Sequence, residues 1–385
     1  MKLPTRAELS PEQEDIFRKA PLKGCVLIKG PPGTGKTVMA VYRARLLKKQ
    51  GTPFKIVMFN HVLKSYTSVA LSGMEENMAT WHSWICSWWR AAYGKNIPSV
   101  ANYVYDWSAI ISQYMSADPR NGKRLNWGHL IVDEGQDFPP GFYMLCGLVV
   151  NNPKSGSPAV TILADDNQRL QAKINSRLDQ IEENLSDPAV YRLTKNFRNT
   201  RQIAEMAQEA FYTGDGSDLA ELPDRKGPVP ELRRFSALDD EVESITRLAR
   251  LNEDQSIGVF LPTVKLRECF FMKIHKSLSD SDIEVQTYRN ARSINLLNLE
   301  SDKGVTVICG ESCKGLEFDH VFIPQLQLYS ITEAERLFVS MKFYVMSTRA
   351  RSGLYFSYSE SEDPPAVLDL FPDSESGLIK LRNMG

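Results

Sequence analysis

The octet Gly30-Pro31-Pro32-Gly33-Thr34-Gly35-Lys36-Thr37 constrains this chain more than any other feature. It fits G-x-x-x-x-G-K-[ST], follows the apolar run GCVLIKG (24–30) and opens the helical stretch KTVMAVYRARLLKKQ (36–50). A strand that feeds a glycine-rich turn and then a helix is the context in which this pattern cradles phosphate. Gly33, Thr34 and Gly35 let backbone N–H groups turn inward, and the helix N-terminus adds positive potential. Lys36 is expected to reach the β/γ-phosphates of ATP, and Thr37 to hold Mg²⁺. Downstream, LIVDEGQD (130–137) is an apolar strand ending in acids. Asp133 is expected to bind Mg²⁺ and Glu134 to accept the proton of an attacking water.

A strand with this turn demands a parallel sheet, and further strands are present. FKIVMFN (54–60) and AVTILADDNQ (159–168) alternate with helical stretches in the first half. A second series comprises VPELRRF (229–235), SIGVFLP (256–262), DIEVQTY (282–288), GVTVICG (304–310), DHVFIPQ (319–325) and LYFSYS (354–359). Helices are expected between them at 239–252 and 332–350. Continuous apolar strands separated by helices argue for sheets covered on both faces. The expected architecture is α/β, with two tandem parallel-sheet domains at 1–190 and 191–360 and a breakpoint near Asp187-Pro188. Residues 361–385 read as an acidic, flexible or docking tail. All six tryptophans lie between Trp81 and Trp127. The segment from about 84 to 128 therefore reads as a short Trp-rich helical insertion in the first domain. The indoles either pack that insertion's own core or leave one or two rings for base stacking.

Charge narrows the partners. With 46 Lys+Arg against 47 Asp+Glu, the formal net charge is -1, which excludes a histone-like polybasic binder. Any nucleic-acid surface must be a local patch. The six cysteines form no C-x-x-C pair, so neither a disulfide framework nor a zinc ribbon is expected. No apolar run approaches the roughly 20 residues of a membrane span, and the amino-terminal MKLPTRAELSPEQED has no signal-type segment. A cytoplasmic protein is the expectation.

Taken in order, the motifs resemble those of superfamily 1 helicases of the UvrD/Rep type, over roughly 8–358. SPEQEDIF (10–17) is similar to the adenine-reading Gln motif, which implies Gln13. MFNHVLK (58–64) and TWHSW (80–84) resemble nucleic-acid-contacting elements, implying Asn60, Thr80, His82 and Ser83. LADDNQ (163–168) resembles the third motif and implies Gln168 as γ-phosphate sensor. LTKNFRNT (193–200), SCKGLEFDHVFIP (312–324) and FYVMSTRAR (343–351) resemble the fourth, fifth and sixth. The resemblance implies two RecA-like domains closing on one ATP, with Arg198 and Arg349 as arginine fingers at an open cleft. Phe197 would stack on adenine and Glu317 contact the ribose. It also implies ATP-driven movement along single-stranded DNA, or unwinding of a tailed duplex, with 3′-to-5′ polarity.

The departures cluster on the DNA side. The family's T-x-H before the fifth motif is replaced by Cys309 and Glu311, and the aromatic group after the third is replaced by Arg169-Leu170-Gln171. About fifteen residues separate the strands at 282–288 and 304–310, so the large insertion of the second domain is absent. These features favour an alternative. The chain would be a nucleic-acid-stimulated ATPase switch, working with a partner such as a nuclease or effector subunit. A P-loop enzyme that acts on no nucleic acid is the third reading.

Overall fold

The computed structural model describes residues 4–59, 73–116, 125–165, 176–214, 219–288, 303–361 and 363–384. The chain divides into two compact units: Lys2–Pro31 with Gly35–Thr194, and Lys195–Gly385 with Pro32–Thr34. The division falls between Thr194 and Lys195.

In the first unit, α1 (Pro11–Lys19) leads into β1 (Gly24–Lys29), α2 (Lys36–Lys49), β2 (Phe54–Met58) and β3 (Met78–Thr80). Next come α3 (Trp81–Tyr93), a hairpin of β4 (Ser99–Ala101) and β5 (Val104–Tyr105), and α4 (Trp107–Met115). Then follow β6 (His129–Val132), α5 (Pro140–Val150), β7 (Ala159–Ala164), α6 (Leu178–Leu185) and β8 (Ala189–Arg192). The sheet order is β3-β2-β6-β7-β1-β8, with every pairing parallel. β6 and β7 are buried at every position, as strands covered on both faces must be.

Two expectations change here. The chain does not leave the first sheet at Pro188: β8 pairs with β1 at Val26↔Ala189, just beyond the expected breakpoint. The Trp-rich insertion is also more than helical, because β4 and β5 make a hairpin between α3 and α4. Five indoles, Trp81, Trp84, Trp88, Trp89 and Trp127, are buried in one core with Leu27, Val57, Val132 and Ile162 of the sheet, so they anchor the segment to the first unit. α3 has apolar residues at helical spacing, and its Trp84 and Trp88 rings stack 5.7 Å apart.

The second unit contains α7 (Arg201–Phe211), β9 (Glu231–Phe235), α8 (Leu238–Leu251), β10 (Ser256–Leu261) and α9 (Val264–Ser277). It continues through β11 (Val285–Thr287), β12 (Gly304–Cys309), β13 (Phe318–Ile323), α10 (Arg336–Ser347), β14 (Ala350–Ser359) and β15 (Lys380–Asn383). This sheet is also parallel throughout, in the order β11-β12-β10-β13-β14-β9-β15. The expected flexible tail is instead a structural part of the unit. β15 adds to β9, Val367, Leu370 and Ile379 are buried, and Phe371 packs on Phe211, Phe343 and Phe356. Asp363, Asp369, Asp373 and Glu375 are exposed while these apolar side chains enter the core, and overall composition does not reveal that division. No helix among the described residues is long and apolar enough to cross a membrane.

Candidate active site

In a parallel sheet every strand ends at the same edge, where ligands of α/β proteins bind. In the first unit that edge carries the turn after β1, Asp133 after β6, Asp165 after β7 and Thr80 at the end of β3. The turn bends through Gly33 at φ +80° and Gly35 at φ +90°. Gly35 is the N-cap of α2, and a Cβ there would meet Gln13 Nε2 at 2.4 Å. Only glycine combines that left-handed backbone with such a close neighbour. Gln13 is buried against the turn, and its Oε1 accepts from Ser10 N at 3.1 Å while Ser10 Oγ accepts from Gln13 N at 3.2 Å. This capping box sets the start of α1 and holds Gln13 beside Gly35.

Lys36 is buried, and its Nζ donates to Gly30 O at 2.5 Å and Pro31 O at 3.1 Å. The same ammonium lies 3.6 Å from Asp165 Oδ2. Asp165 is absent from the sequence reading, although an acid ending a buried strand beside β1 was a usable signal. Thr37 Oγ1 donates to Asp133 Oδ2 at 2.9 Å, which joins the two expected Mg²⁺ ligands. Burial, and then the neighbouring Glu134 charge, push the Asp133 carboxyl up to about 7. A fully buried carboxylate beside a hydroxyl is a hard-oxygen donor pair that fits Mg²⁺, whose remaining ligands are commonly water and phosphate.

Glu134 stands at φ +53°, a left-handed conformation that is costly for a side chain of this kind. Its Oε2 accepts from Gln136 Nε2 at 2.6 Å, and Gln136 Oε1 accepts from Asp165 N at 3.0 Å. Gln136 thus ties the ends of β6 and β7 together and orients the candidate base. Tyr143 donates to Gly135 O beneath them.

The second unit gathers a different set. Glu317 Oε1 accepts from Arg198 Nε at 2.8 Å and Nη2 at 2.6 Å, and its Oε2 accepts from Arg351 Nη2 at 3.0 Å. Arg351 Nε makes a fourth bond at 3.3 Å. Burial opposes ionisation of Glu317, but Arg198 and Arg351 outweigh it and hold the carboxyl at about 2. Arg198 N also donates to Asn196 Oδ1 at 2.9 Å, and Asn199 Nδ2 donates to Thr348 O at 3.2 Å. The expected finger and the expected ribose contact are therefore partners of one another. The role of Arg351 was not apparent from its motif. Phe197 is 48% exposed, with Lys195 Nζ 6.0 Å from its ring centroid.

Arg349 departs from the open-cleft expectation, being 1% exposed. α10 stops at Ser347, and the Arg349 guanidinium folds back so that Nε donates to Val345 O at 3.0 Å. A cation capping the last carbonyls of a helix is favoured by the helix dipole.

Of the candidate nucleic-acid residues, Thr80 is buried at the start of α3, His82 is partly exposed and Ser83 is exposed. Asn60 and Gln168 lie outside the described residues, as do Arg169, Leu170 and Gln171. Glu311 is not an isolated repulsive charge: Lys342 Nζ lies 3.6 Å from its Oε1.

The sequence matches the model of a AAA-domain family over residues 13–173. No curated protein matches it. Among solved structures, it is similar to the DEAD-box helicase Mss116 bound to ssRNA and UDP-BeF, with TM-score 0.51 and 12% identity over 96% of this chain and 79% of the other. It is also similar to the C-terminal domain of a possible DNA helicase from Lactobacillus plantarum WCFS1, with TM-score 0.35 and 21% identity over 48% of this chain and 98% of that one. The likeness to the first of these shows the fold, two RecA-like parallel sheets in tandem.

Proposed function

We propose that the chain is an ATP-driven DNA helicase or single-strand translocase of the UvrD-like type, moving 3′-to-5′. One observation supports the reading: the turn that carries Lys36 and Thr37 lies at the same sheet edge as Asp133 and Glu134, with Thr37 bonded to Asp133. Lys36, already held between Gly30 O and Asp165, would exchange carbonyl partners for the β/γ-phosphates. Thr37 and Asp133 would hold Mg²⁺, which when bound neutralises developing charge on the phosphates. Glu134, oriented by Gln136, would accept the proton of the attacking water. Arg198 would stabilise the transition-state charge, with Glu317 as the ribose contact and Phe197 against the adenine. Gln13 and the Gly33–Gly35 backbone would complete the nucleotide site. Gln168 would sense the γ-phosphate. Asn60, Thr80, His82 and Ser83 would face the nucleic acid.

The test is ATP hydrolysis with and without single-stranded DNA, followed by strand displacement on 3′- and 5′-tailed duplexes. Stimulated hydrolysis with displacement only of the 3′-tailed substrate is the expected result. Hydrolysis indifferent to nucleic acid would overturn the reading. The Glu311–Lys342 pair supports a second reading, a nucleic-acid-stimulated switch serving a protein complex, because it occupies a cation that a phosphate could use. Stimulation without displacement on either substrate is its signature.

A further inference from the structure

The β4–β5 hairpin has no role in the nucleotide site, yet it is built at some cost. Its register pairs Ala101 with Val104, so Asn102 and Tyr103 make the turn. Tyr103 takes φ +62°, a conformation in which Asn or Gly is far more comfortable. Asn102, a residue type suited to it, stands one place earlier. Tyr103 is 74% exposed, so no core contact repays the strain. What the turn achieves is to hold the ring beside His82, with centroids 4.8 Å apart and planes at 59°.

His82 is itself fixed. Its Nδ1 is 2.9 Å from Tyr105 Oη, and its ring lies 4.1 Å from that of buried Trp81. Burial lowers its pKa to about 4, so the imidazole is neutral at physiological pH. The rings of Trp81, His82 and Tyr103 thus run in series from the core to the surface. The sequence carries no Asp or Glu between Glu76 and Asp106, so neither α3 nor the hairpin bears an acid of its own.

We propose that Tyr103, backed by His82, is a stacking platform for one base of a single-stranded nucleic acid. The inference rests on the reading of the chain as a nucleic-acid-dependent ATPase and adds a contact outside the motifs that suggested it. A π-face accepts any base, so the platform contributes affinity without sequence preference.

The experiment is fluorescence anisotropy of a labelled oligothymidylate against the full chain, at several fixed salt concentrations. Tyr103→Ala is expected to weaken binding by about 5- to 150-fold, the range for one lost base stack. The slope of affinity against salt should be unchanged, because no phosphate contact is removed. Tyr103→Trp should restore binding, and Val100→Ser on the same hairpin should leave it intact. Wild-type affinity in Tyr103→Ala overturns the proposal and leaves the exposed hairpin as a face for a protein partner. Equal losses in Tyr103→Ala and Val100→Ser overturn it too, since general apolar contact would then explain both. A wild-type chain that binds no oligonucleotide fails at the earlier step and removes the nucleic-acid reading with it.

Discussion

The phosphate end of the first unit and the arginine–carboxylate cluster of the second are both polar and largely buried, but they are assembled differently. Lys36 is held mainly by carbonyls five and six residues away, and Glu134 by Gln136 two residues on. Arg198, Glu317 and Arg351 come from three distant parts of the chain. The phosphate turn itself is local chemistry that the strand and helix make obligatory, and only its links to Asp133 and Asp165 need the folded sheet. The second exists only once β13 and β14 lie side by side, because Phe318 pairs with Ala350 there. A local site is expected to fail chemically when mutated while the fold survives. A long-range cluster is expected to lose both.

The largest effects should come from the local site. Lys36→Ala and Glu134→Gln are each expected to reduce ATP turnover by roughly 10²–10⁴-fold or more. Glu134→Gln should still bind ATP in equilibrium dialysis, because the carboxylate is needed only when water attacks. Normal turnover in Glu134→Gln would remove the assignment of the base.

Next come the two arginines, which separate the finger role from the structural one. Arg198→Ala is expected to lower kcat by about 10³-fold, on the arginine-finger scale. Arg349→Ala should act mainly on the fold and lower Tm, whereas Arg198→Ala should lower kcat and Tm together. The loss of a buried charged hydrogen bond is worth roughly 1.5–3 kcal/mol, or several degrees in a unit of this size. An unchanged Tm for Arg349→Ala would return the residue to an open site.

A smaller effect is expected from pH. Glu317 titrates at about 2 folded against 4.5 when unperturbed, so its pairing stabilises the fold above about pH 4.5. That stabilisation is lost as pH falls toward 2. Glu317→Gln should therefore flatten the acid limb of a Tm-against-pH plot. Coincident acid limbs would show that the two arginines contribute nothing net through this carboxylate.

The smallest effect concerns His82. Its pKa falls from 6.5 to about 4 on folding, so the unfolded chain binds the extra proton first. Stability should decline as pH drops from about 6.5 to 4, and His82→Asn should remove that share of the decline. Oligonucleotide binding should show no His82-dependent step between pH 6 and 8. A step there would mean that the imidazole charges while facing a phosphate.

Much of this protein was legible in one dimension. The period of apolar runs and the octet at 30–37 determined two parallel-sheet units and a phosphate turn, since Gly35 and Lys36 work through backbone a few residues away. What only the tertiary structure decided lies where apolar pattern is weak or partners are distant. β8 returns to the first sheet past Pro188, and an acidic terminal stretch hides Val367, Leu370 and Ile379 to become an edge strand. Arg349 turns inward onto a helix end, and Glu317 is claimed on both oxygens by Arg198 and Arg351. Tyr103 stands beside His82 because a turn and a helix meet in space. A side chain's local sequence limits what bonds it can make, but burial and the nearest opposite charge select among them, and both belong to the folded chain.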